Sequence, residues 1–356
     1  MKTAAPTAAG QSPPPHARWP LRTRSALVSV VAAVVLAAGC AGTDPVHDGP
    51  RLRVLGTVQD GGFPHAACSC DRCAAARRDP SKRRYVACLA LILPDGPRDA
   101  VYLIDATPDV REQLELLRDV RDEAPGRVDR APVDGVFLTH AHIGHYLGLA
   151  MFGYEAVHTD RLPVYCTPRM GDFLRHGGPW SQLVAMGNIE IRPLRPGESV
   201  RLPYQFPSRR GHVRVTALAV PHRDEYSDTV GFVFAREDEN GSKSAGALYV
   251  PDTEPWETWS PTVAEVLDAH GVKTALLDGT FYSREELPNR DLSAIGHPLM
   301  TKTMDELASP VRGGGLEVRF IHLNHSNPAL DADSDAARNI RSRGFAVARE
   351  GDEWPL

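Results

Sequence analysis

Six short apolar runs in this chain end abruptly in a residue able to bind a metal. Val101-Tyr102-Leu103-Ile104 stops at Asp105, Val136-Phe137-Leu138 leads to His140, and the run from Val213 to Val220 precedes His222. Ala247-Leu248-Tyr249-Val250 leads to Asp252, Thr274 to Leu277 leads to Asp278, and Val318-Arg319-Phe320-Ile321 leads to His322. Near-continuous runs of this length, rich in β-branched residues, predict strands buried on both faces. Strand stability does not call for carboxylates and imidazoles at one end of strand after strand. The pattern therefore predicts a site on one rim of the sheets.

Helical periodicity fills the spaces between these runs. Asp109 to Arg121 sets Val110, Leu114, Leu117 and Val120 on one face of a predicted helix. A second is expected to open at Ser260-Pro261, with Ser260 as N-cap, and to close at Gly271. Glycine- and proline-rich turns break up the remainder. Alternating buried strands and amphipathic helices predict an α/β protein whose sheets are covered by helices on their outer faces.

The densest chemistry follows the run Val133 to Leu138. In Thr139-His140-Ala141-His142-Ile143-Gly144-His145, three imidazoles fall where a strand leaves its sheet. His140 and His142 share a face of extended chain, and His145 begins the next turn. Imidazole is the commonest metal-binding side chain, so the cluster reads as a metal-binding turn rather than as scattered surface histidines.

The first 39 residues read as an address. Arg18, Arg22 and Arg24 precede an apolar stretch from Ala26 to Ala38, which is short for a bilayer span and ends in small residues. Leu36-Ala37-Ala38-Gly39-Cys40 resembles a bacterial lipobox, which implies lipidation of Cys40 and attachment to the cell-envelope membrane; an ordinary secretory signal or uncleaved anchor is the alternative. Residues 40–50 would be a tether and 51–356 a single domain, since no internal repeat or low-complexity linker divides them. The whole chain carries 40 basic and 45 acidic residues. Four of the basic residues and no acidic ones lie before Cys40, so the remainder is near −9, which disfavours a nucleic-acid partner and favours a small-molecule substrate.

Five cysteines remain after Cys40, and three crowd into Cys68-Ser69-Cys70-Asp71-Arg72-Cys73. Such a run has poor geometry for pairing among its own members. Three thiolates on one tight turn suit a structural zinc; disulfides with Cys88 or Cys166, or free thiols, are the alternative.

Taken together, His140, His142, His145, His222, Asp252 and His322 resemble the metal site of the metallo-β-lactamase fold superfamily. The resemblance runs from about Leu52 to the C-terminus and implies a four-layer αβ/βα sandwich with the site at the sheet edge. It places His140, His142 and His222 on a first metal, His145 and His322 on a second, and Asp252 between them as a bridging ligand of the catalytic centre. Asp105 would orient a ligand imidazole from behind; its alternative is a helix N-cap before Thr107-Pro108. The implied metal is zinc, with iron or manganese admitted at the catalytic site.

Leu55-Gly56-Thr57, Gly61-Gly62-Phe63-Pro64, the cysteine run, Leu277-Asp278-Gly279-Thr280-Phe281 and Phe320-Ile321-His322-Leu323-Asn324-His325-Ser326-Asn327-Pro328 are similar to the coenzyme PQQ biosynthesis protein B family. The cyclic phosphodiesterase of the carbon–phosphorus lyase pathway shares the cysteine run and the His-x-x-His ending. That family implies that His325 completes a zinc site with Cys68, Cys70 and Cys73. It also aligns His297, within Gly296-His297-Pro298, with a histidine proposed as proton donor; a backbone-bonded loop histidine is the alternative. Asp278 would accept from substrate or cap a strand end, and His65, beside the cysteine run, is a further candidate for lining the pocket. The sequence departs from the superfamily at Gly144, where most of its hydrolases carry an Asp that holds the second metal. Two imidazoles and one shared carboxylate would leave that site weaker.

Three functions follow from these readings. The first is a metal-dependent hydrolase using metal-bound hydroxide on a phosphodiester or ester-like bond. The second is an iron-dependent oxidation of a small peptide-derived compound. The third is a catalytically silent lipoprotein that binds a ligand or partner.

Overall fold

The computed structural model describes residues 49–96, 98–121, 128–206, 209–239, 241, 244, 246–286 and 296–356. The segments expected to be an export signal and most of a tether, with Cys40, lie outside the described residues. Those from Gly49 onward belong to one compact unit.

The strands are β1 (Arg51–Gly56), β2 (Cys88–Leu93), β3 (Ala100–Ile104), β4 (Gly135–Phe137), β5 (Leu162–Cys166), β6 (Ile189–Pro193) and β7 (Ser199–Phe206). They continue with β8 (Arg209–Ala219), β9 (Val230–Asp238), β10 (Gly246–Val250), β11 (Val272–Asp278), β12 (Glu317–Ile321), β13 (Ala346–Val347) and β14 (Glu353–Pro355). Two seven-stranded mixed sheets result, ordered β14-β1-β2-β3-β4-β5-β6 and β13-β12-β11-β10-β9-β8-β7. In each, an antiparallel half passes into a parallel half, β3 to β6 in the first sheet and β10 to β13 in the second.

The helices are α1 (Asp71–Arg78), α2 (Val110–Glu115), α3 (Ile143–Tyr146), α4 (Pro168–His176) and α5 (Trp180–Ala185), then α6 (Val263–Ala269), α7 (Met300–Glu306), α8 (Ala308–Arg312) and α9 (Asp335–Ser342). Strand β2 shows how the layers form. Its six residues are all buried. Leu89, Leu91 and Leu93 join Val213, Val215, Phe232 and Tyr249 in the core between the sheets. Cys88, Ala90 and Ile92 face the other way, into a core shared with Val110, Met170, Leu174 and Trp180 of α2, α4 and α5. A third core packs α6, α7 and α9 on the outer face of the second sheet through Val263, Met304 and Ile340. Period-two alternation, with both faces apolar, thus yields the four-layer αβ/βα sandwich.

Two helices differ from their sequence-based expectations. The helix expected over Asp109–Arg121 ends at Glu115, because Leu117 and Val120 close three-residue turns on Leu114 and Leu117 instead of continuing the α-helical ladder. The N-cap of α6 is Thr262, not Ser260. Its hydroxyl accepts the Glu265 N–H, and the Glu265 carboxylate accepts the Thr262 N–H, a reciprocal box that Ser260 lies too early to form.

Strand direction then gathers the chemistry. β8 and β10 are both antiparallel to β9, so β8, β10, β11 and β12 run the same way and end on one rim. Parallel β3 and β4 deliver Asp105 and His140 from the first sheet. Among the described residues, no helix is long and apolar enough to cross a membrane.

Candidate metal centre

His140, His142, His222 and Asp252 converge into a first cluster. His142 Nδ1 lies 2.9 Å from His140 Nε2 and 3.1 Å from His222 Nε2. Asp252 Oδ2 is 3.3 Å from His140 Nε2 and 3.2 Å from His222 Nε2. Four donors held tetrahedrally around zinc at about 2.0–2.1 Å stand about 3.3 Å apart, so the set has the dimensions of a metal site.

The second cluster adjoins the first. Asp252 Oδ2 is 3.9 Å from both His145 Nε2 and His322 Nε2, which puts this one oxygen between the two groups. The carboxylate of Asp60 closes the other side, its Oδ1 standing 3.7 Å from His145 Nε2 and 3.6 Å from His322 Nε2. Asp60 Oδ1, His145 Nε2 and His322 Nε2 are all buried without a hydrogen-bond partner. Buried polar atoms seldom go unpaired, and three that face one another suit a cation.

The other ring nitrogens of His140, His142, His145 and His322 are pinned from behind, which fixes their tautomers, while His222 Nδ1 is buried without a partner. His145 Nδ1 donates to Asp105 Oδ2 at 2.8 Å, with both side chains fully buried. His140 Nδ1 donates to Thr139 Oγ1 at 3.0 Å, and that hydroxyl donates to Asp105 Oδ1 at 2.9 Å. His322 Nδ1 donates to Thr280 Oγ1 at 3.0 Å, and His142 Nε2 donates to the exposed Glu225 at 3.1 Å. Asp105 therefore orients the His145 ring directly and the His140 ring through Thr139, while the α2 N-cap position belongs to Asp109. Asp105 and His322 both hold positive φ, 71° and 65°, at strand ends where the chain turns sharply to aim a side chain. Thr139, Thr280 and Glu225 carry no signal in the sequence beyond standing beside or across from ligands.

Electrostatics favour bound positive charge. Burial, reinforced by the charge of His145, holds His140 well below the usual histidine range and leaves a neutral ligand. Burial also opposes the charged form of His145, yet Asp105, Asp60 and Asp252 hold its pKa up to about 9. Asp60 and Asp252 are pushed upward by burial, but the surrounding imidazoles outweigh this and keep both carboxyls well below their ordinary range.

His297 sits over the same rim, its Nδ1 2.9 Å from Asp278 Oδ2 and 3.2 Å from Asp252 Oδ1. Burial would lower its pKa, but Asp278 and Asp252 raise it to about 9. Asp278 neither faces solvent nor merely caps a strand. It is fully buried, accepts the backbone N–H groups of Thr253 and Thr280, and anchors His297. An open cleft beside His297 is lined by Pro255, Trp256, Arg284, Pro298, Leu299 and Lys302, among others.

A separate cluster joins the cysteine run to the last strand. Cys68, Cys70 and Cys73 place their sulfurs 3.6, 3.8 and 3.7 Å from His325 Nδ1. A tetrahedral Cys3His zinc requires sulfur–nitrogen separations of about 3.6 Å. All five described cysteines are unpaired, with Cys88 and Cys166 buried elsewhere. His65 packs against His325 with ring centroids 4.5 Å apart and a tilt of 46° between the planes, beside the cysteine cluster. Trp256 and Trp259 pack edge to face at 5.2 Å, with their indole N–H groups bonded to Thr303 and Thr253.

Sequence comparison matches residues 101–309 to the β-lactamase superfamily domain. The chain belongs to the metallo-β-lactamase superfamily. Coenzyme PQQ synthesis protein B of Cupriavidus necator is 28% identical over 330 residues, covering 86% of this chain and 99% of that protein. The Rhodopseudomonas palustris protein of the same name is 26% identical over 323 residues, covering 86% and 99%. The crystal structure of Zn2+-bound PqqB from Methylobacterium extorquens superposes with a TM-score of 0.66 at 23% identity, covering 86% of this chain and 100% of that one. A diphosphatase of the PhnP family gives 0.54 at 19% identity, covering 86% and 97%. These structures share the superfamily fold.

One position departs from the superfamily's usual metal turn. Gly144 stands where the resemblance leads one to expect Asp, and a Cβ built there would lie 2.3 Å from Asp60 Oδ1 and 2.6 Å from Asp60 Cγ. The space of the usual side chain is filled by the carboxylate of another residue. The second cluster therefore holds two carboxylates with its two imidazoles, one more than the sequence-based count of ligands.

Proposed function

We propose that this protein is a metal-dependent hydrolase acting on a phosphodiester or related ester-like bond. The observation that carries the reading is Asp252 Oδ2, which stands 3.2–3.9 Å from the ligand nitrogens of His140, His142, His145, His222 and His322. A shared carboxylate between two donor sets suits a pair of neighbouring cations. His140, His142, His222 and Asp252 would hold one, and His145, His322 and Asp252 would take part in holding the other. Such cations supply a water acidified to near neutrality and charge to stabilise phosphoryl oxygens.

The chain's own groups supply the rest. Asp278 fixes the His297 ring through Nδ1, so a proton at Nε2 is available for a leaving oxygen. Arg284 and Lys302 line the cleft beside His297 and offer positive charge to an anionic substrate. Trp256, Pro298 and Leu299 add an apolar wall, which suits a leaving group with an organic part.

Similarity to coenzyme PQQ synthesis protein B across 86% of the chain favours a second reading, an iron-dependent oxidation of a small peptide-derived compound. Isotope tracing separates the two. Zinc-loaded protein given bis(p-nitrophenyl) phosphate in 18O-water is expected to place one solvent oxygen in the phosphate product. Iron-loaded protein consuming molecular oxygen in the presence of an ortho-phenolic peptide, with no 18O incorporation by the zinc form, would overturn the hydrolase reading.

A further inference from the structure

The second metal cluster lacks the carboxylate that its own turn normally provides, yet it does not lack a carboxylate. We propose that Asp60, from the loop after β1, is the direct ligand that replaces the missing side chain at Gly144.

The argument begins with the backbone. After β1, Leu323 N–H donates to Thr57 O at 3.0 Å and Gln59 N–H donates to Leu323 O at 3.0 Å. This pairing lays the loop along the segment that follows β12 and sets Asp60 next to His322. The chain then reverses at once: Gly62 N–H bonds Gln59 O at 2.8 Å, and Gly62 holds φ at +71°, a conformation glycine adopts without a Cβ clash. The reversal leaves the Asp60 side chain aimed across the rim at α3.

There it meets Gly144. Atoms closer than 3.0 Å to a real Cβ are essentially never tolerated, and a Cβ at 144 would lie 2.3 Å from Asp60 Oδ1 and 2.9 Å from Asp60 Cα. The two carboxylates are thus mutually exclusive in this loop conformation. An Asp at 144 would expel Asp60, and Asp60 needs a glycine at 144. What Gly144 gives up in chemistry it returns in space.

The placement is also right for binding. Oδ1 of Asp60, Nε2 of His145 and Nε2 of His322 are mutually directed, buried and unpaired, and Asp252 Oδ2 closes the set. Two carboxylates and two imidazoles make a harder donor set than the first cluster, which has three imidazoles and one shared carboxylate. The inference concerns metal binding and stands whichever reaction the protein performs.

The test uses purified full-length chain, zinc as the probe and metal content per chain after dialysis as the readout. The wild type is expected to retain three zinc ions, one of them at the cysteine cluster. Asp60→Ala and the isosteric Asp60→Asn are expected to retain two. Their affinity for the third should fall by more than ~100-fold, since even outer-shell partners cost about 10–100-fold. The double substitution Asp60→Gly with Gly144→Asp is expected to restore the third ion by returning the carboxylate to the turn. Retention of three tightly bound ions by both Asp60 variants would overturn the proposal, as would a wild type that binds only two. An unchanged far-UV circular dichroism spectrum for Asp60→Asn separates loss of a ligand from loss of fold, since loss of a bound ion by itself lowers the melting temperature.

Discussion

At the scale of single residues, the imidazoles at strand ends could be read from the sequence because each follows an apolar run. Asp60 could not. It lies in the loop beyond the end of β1 at Gly56, stands at no ligand spacing from another donor, and only folding brings it against Gly144. The roles of Asp278 and His297 were likewise open in the sequence, since their partnership spans 19 positions and depends on the loop before α7. That partnership makes a sharp prediction. His297→Ala should slow hydrolysis of a phosphodiester with an alkyl leaving group by about 10²–10⁴-fold, the usual worth of a positioned general acid. With p-nitrophenolate, which leaves without a proton, the loss should be less than about tenfold on the same general-acid argument. Equal losses for both substrates, measured as kcat, would mean that His297 positions Asp252 and does not donate a proton.

At the scale of elements, the cysteine cluster and the histidine-bearing rim share the same two segments. The loop from Thr57 to Cys73 carries Asp60 and the three thiols, and the turn after β12 carries His322 and His325 only three residues apart. A zinc held by Cys68, Cys70, Cys73 and His325 would clamp those segments together and keep Asp60 on the rim. Cys70→Ser is therefore expected to remove the structural zinc and also to weaken the cluster of Asp60, His145 and His322 by roughly tenfold, within the range seen for supporting partners. Zinc titration in the presence of a chromophoric competitor would measure both losses. A cysteine variant with an unaltered affinity at the rim would show that the cysteine cluster is independent of the rim. Strand positions were legible from apolar runs, whereas helix ends were less so. The end of α2 depends on turn closures at Leu117 and Val120, and the start of α6 on a box formed by Thr262 and Glu265.

At the scale of the whole molecule, two sheets of like topology bring their strand ends to one rim, and each sheet supplies part of the centre. The first gives Asp105 and the histidine turn; the second gives His222, Asp252, Asp278 and His322. Helix-covered sheets were legible because the runs are apolar on both faces, as β2 shows in contributing Leu91 to one core and Ile92 to another, whereas the four-layer sandwich followed from the family resemblance. The closeness of the two donor sets followed from the family resemblance, which set Asp252 between them, and not from the spacing of the residues along the chain. The most direct measurement is the hydrolysis rate of bis(p-nitrophenyl) phosphate by chelator-stripped protein as zinc is added back. The account predicts no turnover in the stripped protein and recovery as the rim sites fill, with none at any zinc level in His140→Ala. Turnover that survives stripping, or a fully reloaded protein with no turnover, would contradict it.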